Sequence, residues 1–295
     1  MRFPDLIVIG AAKSGTTTLY HYLCRHPQIF MSTPKEPEFF ARDDRYGLGV
    51  DWYTSLFSQA KANQVCGEGS TKYTRFPLFR ESAPRMFQLL PHAKLIYIMR
   101  NPVDQAYSYY VQRIKTAQNT KTQLEVRESF EETIEKEPFF LSMSNYMQQI
   151  ERYLEFYSRN SFLFLLIEDL IEDTANTLRK VCKFVGVNDQ IDLIEANLIA
   201  ANQAKTHVEW FIRSRTTAPL KKIPGVASAA SLFPQSVRDN AYMILEKSPF
   251  NKVAKEKHLP PPMLPETRQM LLQKFQEPNQ KLAEFLNRDL SHWNQ

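Results

Sequence analysis

The chain has 295 residues, 43% of them hydrophobic and 23% charged, with a formal net charge of +5. This size and balance suit one large α/β domain or two small ones and exclude a disordered or fibrous chain. The positive excess favours anionic ligands but lacks the dense basic stripe of a nucleic-acid binder, so no nucleic-acid partner is expected.

In chain order, Leu6-Ile7-Val8-Ile9 reads as a short apolar strand, followed at once by the turn Gly10-Ala11-Ala12-Lys13-Ser14-Gly15. An amphipathic helix through Leu19, Tyr22 and Leu23 comes next. Strand, glycine-containing turn and helix in that order predict the opening of a parallel α/β sheet. Further strands are predicted at 28–31, 65–67, 94–99 and 162–167. Asn101-Pro102-Val103-Asp104 opens a helix: Asn101 caps, Pro102 suits the first helical position, and Asp104 sits in the positive first turn. Helical patterns also occupy 146–157, 174–185 and 266–275, whereas 115–128 reads as a polar connection or weak helix and 214–236 as irregular. The expected fold is α/β: a P-loop-like, doubly wound, mainly parallel sheet flanked by helices with helical insertions, forming one domain over residues 1–295.

Cys24, Cys66 and Cys182 form no CxxC pair or disulfide framework, which suits a reducing compartment, and the six histidines fall singly, without a zinc-ligand set. A charged leader with an apolar core is missing from the start, and no apolar run approaches the roughly 20 residues of a membrane span. A soluble, cytoplasmic protein without a transmembrane segment is expected.

Gly10 and Gly15 stand at the Walker A spacing, but a nucleotide triphosphatase would continue Lys-Ser or Lys-Thr where this chain has Thr16-Thr17. The lysine comes earlier, at Lys13. A strand-to-helix loop of this kind aims backbone N–H groups at one spot, where the helix dipole also favours negative charge. Ser14, Thr16 and Thr17 add hydroxyl donors at the helix start. With Thr16 at the Walker lysine position and no apolar run ending in a Walker B aspartate, metal-assisted phosphoryl transfer is under-equipped. Anion binding remains.

The segment Ala12-Lys13-Ser14-Gly15-Thr16-Thr17-Thr18-Leu19 resembles the 5′-phosphosulfate loop of sulfotransferases that use 3′-phosphoadenosine 5′-phosphosulfate (PAPS). Arg100 through Tyr110, with Ser108 eight residues after the arginine, resembles their 3′-phosphate segment. Lys35-Glu36-Pro37-Glu38-Phe39-Phe40 looks like a segment of the heparan-sulfate type and its bacterial relatives. Gly67-Glu68-Gly69-Ser70-Thr71-Lys72-Tyr73, Ser144-Asn145-Tyr146 and Glu168-Asp169-Leu170 resemble further stations of that group. The resemblance covers roughly residues 5 to 190, with a weaker echo at Glu277-Pro278-Asn279 and at Leu290-Ser291-His292-Trp293.

The resemblance implies that PAPS is the donor, that adenosine 3′,5′-bisphosphate is its product, and that no metal is required. Lys13 would neutralise charge growing on the bridging oxygen, and Ser14, Gly15, Thr16 and Thr17 would hold the 5′-phosphate. Arg100, with its planar fork, and Ser108 would hold the 3′-phosphate. Glu36 would take the proton from an acceptor hydroxyl or amine, or else only orient Lys35 or Lys13. Glu38 is the other carboxylate available, standing where the heparan-sulfate type carries a histidine. Lys205, in the less matched half, would close over the nucleotide or be a plain solvated lysine. Tyr107, Tyr109 and Tyr110 suit core packing and the wall of an acceptor pocket, as do Phe39-Phe40 and Trp52-Tyr53. The acceptor class (glycan, lipid or small molecule) and the oligomeric state have no motif. Two other classes compete: a P-loop kinase or hydrolase, disfavoured by Thr16-Thr17, and a non-catalytic nucleotide-binding module.

Overall fold

The computed structural model describes residues 1–120, 128–190 and 260–295. Its strands are β1 (Leu6–Gly10), β2 (Ile29–Met31), β3 (Val65–Gly69), β4 (Lys94–Met99) and β5 (Phe162–Leu166). They form one sheet in the order β2-β3-β1-β4-β5, and every pairing is parallel. A parallel sheet covered on both faces needs near-continuous apolar strands, and all five residues of β1 are buried, as are the last five of β4. Register is set by Leu6 opposite both Gly67 and Lys94, and by Leu95 opposite Phe162.

The flanking helices are α1 (Thr16–Arg25), α2 (Asp43–Tyr46), α3 (Gly49–Ser55), α4 (Ser82–Leu89) and α5 (Pro102–Thr120). They continue with α6 (Phe130–Lys136), α7 (Phe139–Ser142), α8 (Tyr146–Leu154), α9 (Ile167–Glu172), α10 (Thr174–Val185) and α11 (Pro265–Leu286). The chain divides into two compact units. One is Met1–Tyr110 with Glu128–Glu195 and Met263–Gln295; the other is Val111–Arg127 with Ala196–Pro262. The sheet and the site described below belong to the first. Among the described residues no helix is long and apolar enough to cross a membrane.

Several elements differ from the sequence expectation. β3 continues two residues to Gly69, and the final helix runs through Pro278 to Leu286, well past residue 275. Leu271, Phe275 and Leu282 bury one continuous stripe of that helix, which outweighs the hydrogen bond that Pro278 removes. The short helices α2, α3 and α9 span 4, 7 and 6 residues, too few to display a helical period in sequence. The expected strand at 162–167 stops at Leu166 because Ile167 already begins α9.

A core of Ile7, Ile9, Phe39, Phe40, Tyr53 and Tyr97 lies against the sheet, with Phe39 stacked on Tyr53 at 4.4 Å. Above it, a 3-10 turn (Thr71–Thr74) follows β3 and crosses the end of β1, where Thr74 Oγ1 donates to the Ile9 carbonyl at 3.1 Å. Gly10 makes this crossing feasible. A Cβ there would lie 2.0 Å from Thr74 Oγ1 and 3.0 Å from the Tyr97 ring. Gly10→Ala is therefore expected to cost about 1–3 kcal/mol through overpacking, read as a lower urea midpoint with an unchanged slope.

Candidate functional site

Four loops leave the carboxyl ends of adjacent strands. Across the sheet they carry Glu36 after β2, Ser70 to Thr74 after β3, Lys13 after β1, and Arg100 after β4. The chain runs outward from β1 to β2, returns through β3, and then crosses to β4 on the other side. The crevice between β1 and β4 is thus a topological switch point, where open α/β sheets bind ligands.

The loop after β1 is held from behind. Its start is fixed by Ala11 N–H donating to the Ile98 carbonyl at 2.7 Å. Gln105 Nε2 donates to the Ala12 carbonyl at 2.9 Å, and an Arg100 guanidinium nitrogen donates to the Lys13 carbonyl at 3.2 Å. Two oxygens that would repel an anion are thereby engaged by the β4–α5 segment. Lys13 (φ 66°) and Gly15 (φ 92°) supply the left-handed turns from which N–H concavities for anions are built. Gly15 caps α1, whose first turn carries no acidic residue and no side-chain cap. Its N–H donors and positive dipole end are consequently not claimed by a local carboxylate. Lys13 and Gly15 are half-buried, Thr16 is buried and Thr17 is exposed. Ser14 is fully buried, and its hydroxyl, beside the Tyr146 phenol, has no partner in hydrogen-bond geometry among the described residues.

Arg100 is 28% exposed at its side chain, and its second nitrogen lies 3.9 Å from Asp104, whose other oxygen binds Arg268 at 2.8 Å. Part of its charge therefore remains available at the crevice. Asn101 caps α5 as expected, accepting from Val103 N–H at 2.9 Å. Ser108 is half-buried on the same helix. Tyr107 and Tyr110 pack on Phe130, each at 5.4 Å, while Tyr109 accepts a hydrogen bond from Arg75 at 2.8 Å. Lys205 and the 214–236 stretch lie outside the described residues.

Glu36 is half-buried and has two partners: Lys35 Nζ at 2.7 Å from Oε1, and the Thr71 hydroxyl donating to Oε2 at 3.3 Å. Lys35 in turn sits 6.0 Å over the ring of Tyr20, on α1, which places this pair beside the helix of the anion loop. Glu38 is differently employed. Its carboxylate binds Lys72 at 2.7 Å and Arg42 at 3.6 Å, so two cations hold it.

Sequence reasoning assigned no role to three features that brace the site. Ser144 binds the Gln105 amide oxygen, Asn145 caps α8 by accepting from Gln148 N–H at 3.2 Å, and Tyr146 accepts from Arg100 N–H at 3.5 Å. Trp293 Nε1 donates to Glu168 at 3.0 Å, and Asn101 donates to the Trp293 carbonyl at 3.0 Å. Glu68, on β3, is fully buried and accepts from Tyr53 at 3.0 Å, Tyr73 at 2.7 Å and Ser70 at 2.8 Å. In the sequence Glu68 was marked only by its place in the segment 67–73, which resembles a station of the heparan-sulfate type but carries no stated role for the carboxylate.

A family model described as sulfotransferase domain matches residues 3–231. The chain is 31% identical over 209 residues to bifunctional heparan sulfate N-deacetylase/N-sulfotransferase 1 of Xenopus laevis, covering 65% of this chain and 23% of that protein. It is 29% identical over 188 residues to heparan sulfate glucosamine 3-O-sulfotransferase 6 of Homo sapiens, covering 63% of this chain and 53% of that one. The chain thus spans only 23% and 53% of the lengths of these two curated relatives. A solved sulfotransferase from Alicyclobacillus acidocaldarius shares the fold over 100% of both chains, with a TM-score of 0.67 and 23% identity.

Burial pushes the Glu68 carboxyl up from 4.5 to about 7, against the pull of its three hydroxyl donors and with a smaller push from Glu36. A carboxyl raised in the folded state stabilises most below its unfolded value and loses that contribution as pH rises through the folded one. Glu68→Gln does not titrate and so serves as the reference. Relative to it, wild-type stability is expected to fall by about 3 kcal/mol across this window, and a pH-independent difference in urea unfolding would refute the shift.

Proposed function

The chain belongs to the sulfotransferase-domain family, and from that footing we propose that it moves a sulfuryl group from PAPS to an acceptor hydroxyl or amine, releasing adenosine 3′,5′-bisphosphate. The observation that carries this reading is the Arg100 bond to the Lys13 carbonyl, which brings the two candidate phosphate-binding segments together at one crevice. The donor's chemistry fits what is there: N–H groups at a helix start free of local acids, a buried Ser14 hydroxyl with no partner among the described residues, and the cations of Lys13 and Arg100.

Bound PAPS supplies an activated sulfuryl group with a stable leaving phosphate. The residues supply position and charge. Gly15, Thr16 and Thr17 offer N–H and hydroxyl donors to the 5′-phosphate, and the Lys13 ammonium neutralises charge that grows on the bridging oxygen. Arg100 and Ser108 hold the 3′-phosphate, the arginine through charge-assisted bonds. Glu36 takes the proton of the attacking acceptor. Thr71 fixes one of its oxygens, and Lys35 keeps the carboxylate turned toward α1. Glu38, clamped between Lys72 and Arg42, serves as a structural anion. No metal enters this scheme.

Glu36→Gln is expected to lower kcat about 10²–10⁴-fold while adenosine 3′,5′-bisphosphate affinity stays within about twofold. Transfer of labelled sulfate across glycan, lipid and small hydroxylated acceptors, with Lys13→Ala as the inactive control, checks the reaction itself. An unaltered rate in Glu36→Gln would remove it as the base. Arg100→Ala is expected to weaken bisphosphate binding about 10–100-fold, the size of a lost charged hydrogen bond. Isothermal titration reads this directly, and unchanged affinity would sink the assignment.

A further inference from the structure

Glu36 and Glu38 both have left-handed backbones, at φ 60° and 58°, a conformation that costs non-glycine residues free energy and persists only where surrounding structure enforces it. Three backbone bonds supply the enforcement. Glu36 N–H donates to the Gly69 carbonyl at 3.2 Å, Glu38 N–H to Ser70 Oγ at 3.0 Å, and Phe40 N–H to the Tyr73 hydroxyl at 3.5 Å. Two of the three acceptors are hydroxyl oxygens, which accept reliably only when their single proton is committed elsewhere. Both protons are committed to the same place: the carboxylate of Glu68.

We propose that Glu68 is a positioning residue, which fixes the polarity of the Ser70 and Tyr73 hydroxyls so that their oxygens hold the Glu36–Glu38 turn and aim the Glu36 carboxylate. The inference rests on Glu36 being the proton acceptor. Once ionised, above its raised value of about 7, the carboxylate is acceptor-only and can take all three hydroxyl protons at once. Packing alone gives no reason for it, since burying a carboxyl costs several kcal/mol that an apolar side chain would not incur. A glutamine would present an N–H₂ edge, so at least one hydroxyl would have to accept from it, leaving that hydroxyl's proton without its acceptor and free to compete with the N–H of the turn. Ser70 is the critical relay: it contacts both Glu68 and Glu38 N–H, and its neighbour Thr71 holds Glu36 Oε2.

The test combines amide hydrogen exchange with a kinetic cycle on the full chain. Ser70→Ala and Glu68→Gln should accelerate exchange at the Glu36, Glu38 and Phe40 amides by about tenfold or more, and Ser70→Thr, which keeps the hydroxyl, should restore protection. Val181→Ala, a core truncation on α10, serves as the control for general destabilisation. If it accelerates exchange at these amides as much as Ser70→Ala does, or if Ser70→Thr fails to rescue, the positioning role is overturned. In kinetics, run with PAPS and the best acceptor from the labelled-sulfate screen, Ser70→Ala should lower kcat about tenfold with bisphosphate affinity unchanged. It should add nothing in a Glu36→Gln background, because a residue that acts only through Glu36 has no further effect once that carboxylate is gone. Additive losses overturn the proposal while leaving the base assignment standing, whereas full activity in Glu36→Gln alone overturns both.

Discussion

Two hydrogen bonds from the β4–α5 segment to the loop after β1 set the terms for everything else at the site. Anion loops are commonly described by the donors they point at a ligand, yet a loop also carries carbonyl oxygens, and an unmasked carbonyl beside a phosphate is repulsive. Gln105 and Arg100 engage the carbonyls of Ala12 and Lys13 from the far side. The same arginine then keeps part of its charge for a ligand, so holding the loop and recognising an anion are functions of one side chain. Any change at Arg100 acts on both.

The opposite flank is built on different physics. There a buried carboxylate, Glu68, gathers three hydroxyl protons, and the 3-10 turn that follows β3 carries the consequence to both neighbours. Thr71 meets Glu36, while Thr74 reaches the Ile9 carbonyl across the bare Cα of Gly10. A single short turn thus links the carboxylate side to the anion loop. Glycine is required at Gly10 by this close approach and by its own φ of 158°, while Gly15 and Lys13 supply the left-handed turns of the loop.

Closure comes from the far end of the chain. Trp293 is buried against Tyr146 at 5.9 Å and bonded to both Glu168 and Asn101, while Arg288 forms a two-pronged pair with Asp169 at 2.5 and 2.7 Å. These contacts fasten α11 and the terminal turn to the ends of β4 and β5. Glu168-Asp169 and Ser144-Asn145-Tyr146 act as braces: they touch the residues that hold Arg100 and the loop.

Contiguous features were readable from the sequence. An apolar run followed by Gly10 to Gly15 and a helix start encodes strand, anion loop and dipole within a dozen residues. Arg100-Asn101-Pro102 encodes a strand end and a capped helix in the same local way. Such signals survive because backbone geometry and neighbouring side chains suffice to produce them. The pairing of Glu36 with its neighbour Lys35 was among the alternatives the sequence left open, whereas its contact with Thr71, the clamping of Glu38 by Lys72 and Arg42, and the masking of the Ala12 carbonyl by Gln105 were decided only in three dimensions. Residues 36 and 71, or 12 and 105, meet because the sheet orders its strands 2-3-1-4-5. Strand order is set by long-range packing, which no local pattern of residues records.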